Sequence, residues 1–178
     1  MKAAYADPPY IGCAHLYADH PDYGGEVDHD RLMRRLDEEY DGWLLHLSAP
    51  SLAQVLGICE RRRIDGYRVM AWVKPFAAFK ANVPVAYAWE PVIVKPVRKP
   101  VVTERTVLRD WIAEPITMQK GLVGAKPPAV IRWCFEVLGL TPDDDLDDMF
   151  PGTGIVGETW RKWRGEFFAT DAQEVLPL

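Results

Sequence analysis

Ala3-Ala4-Tyr5-Ala6-Asp7-Pro8-Pro9-Tyr10 opens the chain, and its reading decides the fold. Ala3 to Ala6 is short and apolar, as a buried strand is. The prolines that follow cannot donate to a sheet ladder, and they push the residue before them towards extended geometry. Asp7 is therefore expected at the C-terminal end of a strand, where open α/β sheets gather ligands. A stiff proline loop leaves its carbonyls free to accept hydrogen bonds. A carboxylate, a fixed carbonyl and an aromatic face could together hold a planar ring that carries an amino group. Taken alone, the tetrapeptide also fits a plain strand followed by a proline turn.

A second stretch far downstream, Asp148-Met149-Phe150-Pro151-Gly152-Thr153-Gly154, is read the same way. Residues 146–150 suggest a strand with acidic interruptions. Val156, Trp160 and Trp163 then recur at helical spacing. Strand, glycine turn and helix make a place where backbone comes close to a ligand at a helix N-terminus. Glu166-Phe167-Phe168-Ala169-Thr170 is expected to be a further strand. Asp171 at its end would supply the carboxylate that often follows such glycines by about 20 residues and holds ribose hydroxyls.

Together these stretches resemble the amino-methyltransferases that use S-adenosylmethionine, the N6-adenine and N4-cytosine DNA methyltransferases. Asp7-Pro8-Pro9-Tyr10 is similar to their catalytic D-P-P-Y motif, and the Asp148 stretch to their cofactor motif D-x-F-x-G-x-G. Lys126-Pro127 is similar to a further K-P cofactor motif. Catalytic motif first and cofactor motif last resembles the circularly permuted members, among them the beta class and the MT-A70-like group. Trp72-x-Lys74 and Trp89-Glu90-Pro91 resemble later strands of that group, although Tyr10 stands where it carries tryptophan. The resemblance implies a Rossmann-like α/β methyltransferase sheet, circularly permuted, with helices on both faces. No residues remain for one outer strand, so the sheet is expected to lack it.

The resemblance also implies site roles. Asp7, Pro8, Pro9 and Tyr10 are the expected catalytic residues. Lys126, Pro127, Asp148, Phe150, Gly152, Thr153, Gly154 and Asp171 are the expected S-adenosylmethionine-binding residues, with Lys126 at the cofactor's carboxylate end. The expected reaction is methylation of an exocyclic amino group of a nucleobase, N6 of adenine in DNA first. RNA adenine, cytosine N4 in DNA and a catalytically inactive scaffold subunit stay open. A nucleotide-binding module of another kind leaves the D-P-P-Y stretch without a role.

The rest of the chain supplies an alternating pattern. Residues 29–40 read as a helix capped by Asp28, and 43–47 as a buried strand. A helix carrying Leu52, Val55, Leu56 and Cys59 follows, then a hairpin of strands at 68–73 and 85–94. Pro127 and Pro128 open a helix that Gly139 closes. Asp143, Asp144 and Asp145 read as a solvated turn. The alternation predicts an α/β sheet with right-handed crossovers. Residues 11–27 read as a loop or a lid over the substrate. Residues 76–84 hold Phe76, Phe79 and Lys80 in a loop. Residues 95–125 read as a short recognition or linker insert within a single domain, 1–178.

Composition is that of an ordinary globular chain, 48% hydrophobic and 26% charged over 178 residues. Neither a membrane span nor a signal peptide is legible, and a cytoplasmic protein is expected. Cys13, Cys59 and Cys134 lack metal-ligand spacing and read as reduced thiols, the latter two buried on helices. His15 and His20, with Asp19 and Asp22, read as a solvated loop rather than a metal site. The formal charge of −5 sits awkwardly with nucleic-acid binding. Positive charge is clustered, however, at Arg61, Arg62 and Arg63 and at Lys95, Arg98, Lys99, Arg105 and Arg109. These clusters are the expected nucleic-acid contacts; the acidic balance argues for a partner subunit, and a homodimer stays open.

Overall fold

The computed structural model describes residues 1–18, 24–75, 83–99, 107–116 and 126–174. β1, Lys2–Ala6, is followed by α1, His29–Glu39, and β2, Gly42–His46. Then come α2, Leu52–Arg62, β3, Arg68–Val73, β4, Trp89–Lys95, and β5, Trp111–Ala113. α3, Pro128–Leu138, β6, Asp145–Asp148, and α4, Ile155–Glu174, complete the order.

The strands form one six-stranded sheet in the order β5-β3-β4-β2-β1-β6. Only β4 runs against its neighbours; β1 is parallel to both β2 and β6, and β3 is parallel to β5. α1 and α2 pack on one face against Ala4, Trp43, Leu45 and Ile93. α3 and α4 pack on the other against Tyr5, Leu44, Val92 and Val94. Strand residues alternate between these two cores, as the two-residue period of a strand requires. Phe135 of α3 meets the edges of Trp160 and Trp163 of α4, with ring centroids 5.1 and 5.7 Å away.

Local chemistry accounts for the element ends. Asp28 caps α1 by accepting from the Arg31 amide at 3.0 Å. Cys59 and Cys134 are buried on their helices. The β3–β4 hairpin forms with Val73 opposite Trp89. β4 begins at Trp89 rather than at 85, and Val85 and Tyr87 lie exposed ahead of it.

Other expectations are corrected. Residues 166–170 are not a strand: α4 runs through them, since no proline interrupts the helix and Arg132 of α3 donates to Glu166 at 2.5 and 2.6 Å. β5 is a strand within the expected insert, held by Trp72 Nε1 donating to the Glu114 carbonyl at 2.8 Å. The run at 143–145 is not simply solvated. Asp144 is buried, and Arg98 donates to both its oxygens at 2.5 and 2.7 Å, holding its carboxyl far below the usual carboxylate range. Residues 14–17 make one helical turn inside the segment read as loop or lid. Asp19, His20, Asp22, Phe76, Phe79, Lys80, Arg105 and residues 117–125 lie outside the described residues.

Candidate active site

The two motif stretches, nearly the whole chain apart in sequence, leave the sheet side by side. Tyr5 of β1 registers with Asp148 of β6, and the Met149 amide donates to the Tyr5 carbonyl at 3.0 Å. Parallel pairing puts both C-terminal strand ends on one edge. Asp7 and Phe150 therefore begin adjacent loops.

On the β1 side, ion pairs hold the site together. Lys126, just ahead of α3, donates to the two Asp7 oxygens at 2.9 and 2.7 Å and to Tyr10 Oη at 3.3 Å. Tyr10 Oη donates in turn to Glu90 Oε2 at 2.7 Å, and Lys74 donates to Glu90 Oε1. Lys126 Nζ also stands 3.7 Å from Glu90 Oε2. Both ammonium groups lie over Trp72, Lys74 at 4.8 Å and Lys126 at 5.8 Å from its centroid. Lys126 is only 6% exposed, and Asp7 is 23% exposed. Burial pushes the Glu90 carboxyl up, but Lys126 and Lys74 outweigh it, and it titrates below its ordinary range.

Beneath this group, Tyr5 Oη and His46 Nε2 are 2.8 Å apart, with Cys134 Sγ 3.8 Å from the same nitrogen. Burial, assisted by Lys126, lowers the His46 pKa and keeps the ring neutral. Burial likewise keeps the Tyr5 hydroxyl and the Cys134 thiol protonated.

The β6 side is built from backbone. Gly152 and Gly154 hold φ angles of +44° and +75°, the left-handed region that side chains resist. The Gly154 amide donates to the Pro151 carbonyl at 2.6 Å, and its carbonyl accepts from the Glu158 amide in the first turn of α4. Gly152, Thr153 and Gly154 are exposed. Asp148 accepts only a long bond from the Phe150 amide, 3.4 Å, among the described residues. Burial pushes its carboxyl up to about 6, against that amide and with help from Asp7 and Asp147. Asp147 accepts from the Tyr40 hydroxyl.

Thus Asp7, Pro8, Pro9, Tyr10, Lys126 and Pro127 gather around one strand end, with Asp148, Phe150, Gly152, Thr153 and Gly154 on the next. Lys126 was expected towards a cofactor; it lies on the Asp7 carboxylate. Asp171 does not join the group. It falls within α4, about 26 Å along the helix from Gly154 at 1.5 Å per residue, and no strand end is there to present it. Glu90 and Lys74 carried no expected role. Their signal is a pair of opposite charges at the hairpin end of two strands, Lys74 just after Val73 and Glu90 just after Trp89. The turn at 152–154 offers an unobstructed backbone at a helix start, and a Cβ on Gly154 would meet nothing within 4 Å.

The basic clusters have structural duties. Arg62 pairs with Asp30, Lys95 with Asp37 at 2.5 Å, and Arg98 with Asp144. Arg63 closes α2 in a left-handed conformation, and Arg109 lies 5.3 Å over the Trp111 ring. A groove of about 260 Å³ lies at the β5 edge, between Val69, Ala71, Trp89 and Trp111, not at Asp7. Among the described residues no cluster of His, Cys, Asp or Glu is placed to hold a metal ion, and no helix is long and apolar enough to cross a membrane.

No family model matches the chain, and no curated protein is significantly similar to it. Solved structures are similar in fold. M1.HpyAVI in its SAM complex aligns with a TM-score of 0.57 at 16% identity, covering 90% of this chain and 78% of that one. M1.HpyAVI alone aligns with a TM-score of 0.53 at 14% identity, covering 92% and 76%. The chain therefore has the α/β sheet fold of the M1.HpyAVI structures, with a six-stranded sheet flanked by helices on both faces.

Proposed function

We propose that this chain is an S-adenosylmethionine-dependent methyltransferase that acts on an exocyclic amino group of a nucleobase, N6 of adenine in DNA. The observation that carries the reading is the junction of two motif loops at adjacent parallel strand ends, with Tyr5 in register with Asp148. That geometry brings a carboxylate and an aromatic ring beside a glycine turn, and one of the similar structures is a SAM complex.

The residues present fit such a cofactor. The Asp148 carboxylate and the exposed backbone of Gly152, Thr153 and Gly154 would hold it, and when bound it supplies an electrophilic methyl group on a sulfonium. The chain's residues do the rest. An aromatic amine is a poor nucleophile because its lone pair is delocalised into the ring. Asp7 and the Pro8 carbonyl would accept its two N–H bonds and turn the lone pair out of the ring plane. Each Asp7 oxygen accepts from Lys126 and keeps a lone pair for a second donor. Orientation of this kind supplies much of the rate gain. Tyr10 would stack on the base, which must leave a duplex to reach it.

The test is transfer of labelled methyl groups to duplex DNA, single-stranded DNA and RNA, followed by nucleoside mass spectrometry. N6-methylated deoxyadenosine that Asp7→Ala fails to make is the expected result. A mark on cytosine or on RNA moves the substrate and keeps the site. Wild-type protein that binds neither cofactor nor nucleic acid overturns the reading.

A further inference from the structure

Glu90 is the hub of the charged group, yet it lies outside both motif stretches. It comes from β4, eighty residues from Tyr10 in sequence, and registers opposite Trp72 of β3. One carboxylate oxygen accepts the Tyr10 hydroxyl at 2.7 Å and faces Lys126 Nζ at 3.7 Å. The other accepts Lys74. Its side chain is 14% exposed, as is that of Lys74. Tyr10, Lys126 and Glu90 thus close a ring of contacts, Lys126 holds Asp7 onto it, and Lys74 anchors the ring to the end of β3.

Two consequences follow from the chemistry of these groups. Tyr10 has one hydroxyl hydrogen, and Glu90 takes it, which sets the direction of the phenol ring and ties the loop after β1 to the sheet. Just beyond that point the Cys13 amide donates back to the Tyr10 carbonyl at 2.8 Å. The second consequence is electrostatic. Lys126 lies on Asp7 and Lys74 on Glu90, so two ammonium groups stand in one cluster with the Asp7 carboxylate, whose negative charge is what an electron-poor amino group needs. In a partly desolvated site an uncompensated ammonium is felt strongly. Glu90 cancels one of the two, and the cluster of Asp7, Glu90, Lys74 and Lys126 is left formally neutral.

We propose that Glu90 is a positioning residue of this site: it tethers Tyr10 and pairs with Lys74, which leaves the Lys126 ammonium to orient Asp7. The assignment rests on the methyltransferase reading above for its catalytic consequence, while the tether rests on the geometry alone.

The experiment compares wild type, Glu90→Gln, Glu90→Asp, Tyr10→Phe and the Glu90→Gln/Tyr10→Phe double variant. Glu90→Gln is expected to lower kcat by about 100-fold, the scale of a reacting group misplaced by about 1 Å. The dissociation constant for S-adenosylhomocysteine, read by calorimetry, is expected to stay within about twofold, because the glycine turn is untouched. Tyr10→Phe keeps the ring and loses the tether without stranding a lysine, so it guards against a variant that merely misfolds. The two substitutions are expected to be non-additive in kcat, and Glu90→Asp to recover part of the loss. Hydrogen exchange of the Gly12 and Cys13 amides reads the tether without any turnover, and is expected to rise in Glu90→Gln and in Tyr10→Phe. Unchanged kcat in a folded Glu90→Gln, or unchanged exchange in both variants, overturns the proposal. Wild-type protein that transfers no methyl group while the variants loosen the loop removes the methyltransferase reading and keeps the tether.

Discussion

The two halves of the site are built by opposite means. At the end of β1, side chains are locked to side chains: Asp7 to Lys126, Tyr10 to Glu90, Glu90 to Lys74. At the end of β6, the turn is exposed backbone shaped by two left-handed glycines, and Asp148 keeps one long amide contact among the described residues. A base with two N–H groups must be held in one orientation, which favours preorganised charge. A flexible amino-acid chain with a nucleoside is held by backbone and a carboxylate, which favours an open turn. In the proposed function this difference matches the β1 side to the acceptor and the β6 side to the cofactor.

The largest effect expected is on the locked half. Asp7→Ala should lower methyl transfer by at least about 10³-fold, because orientation and charge at the acceptor nitrogen are lost together. Cofactor affinity, measured by calorimetry, should change little. A comparable loss of both would erase the division of labour.

Next comes the cost of breaking the lock itself. Lys126→Met leaves Asp7 and Glu90 without the cation between them. Removing one partner of a buried pair costs about 3–5 kcal/mol. The exposure of Asp7 argues for the lower end of that range. Urea unfolding followed by tryptophan fluorescence checks it.

The open half should reveal itself through pH. The Asp148 carboxyl titrates near 6, above the roughly 4 of an unfolded chain. Protonation therefore favours the folded state: this group's contribution is complete below about pH 4 and is lost as pH rises through about 6. Cofactor affinity should run the other way, since the ionised carboxylate is the form that accepts a donor. Calorimetric titrations between pH 5 and 8 are expected to show affinity falling about tenfold for each unit below pH 6. Asp148→Asn should flatten that profile. A profile unchanged by the substitution would remove Asp148 from the cofactor side.

The smallest effect tests the glycine turn. Gly154→Ala meets no steric neighbour, so its cost should be the left-handed backbone alone, about 1–2 kcal/mol. Thermal melting reads that cost. An affinity loss well beyond it would mean that a ligand approaches the backbone at this point.

Much of the fold was legible because it rests on short-range signals. Ala3 to Ala6 and Trp43 to Leu47 are short apolar runs, the helix of Leu32 and Leu36 carries a helical period, and the proline loop and the glycine turn punctuate them. The misreadings share a cause. Phe167 and Phe168 have strand-like side chains, but a helix already begun at Ile155 continues through them without a breaker. Trp111–Ala113 has too few residues for any period, and only pairing with β3 makes it a strand. Asp144 looked solvated because a run of aspartates usually is. Arg98, forty-six positions away, supplies the charge that lets it be buried.

The site divides along the same line. The chain alone determined that Asp7 and the glycine turn after Asp148 stand at strand ends, since prolines and glycines act on the backbone within a few residues of themselves. It determined the alternation that makes an α/β sheet, and hence the edge at which ligands would gather. Only the tertiary structure decided that β6 pairs with β1, which sets Asp148 beside Tyr5. Only it decided that Lys126 lies on Asp7 and that Glu90 takes the Tyr10 hydroxyl. Ion pairs between residues eighty or more positions apart leave no periodic trace in a sequence. They exist because the sheet brings their strands and loops within hydrogen-bond reach and burial makes leaving them unpaired costly.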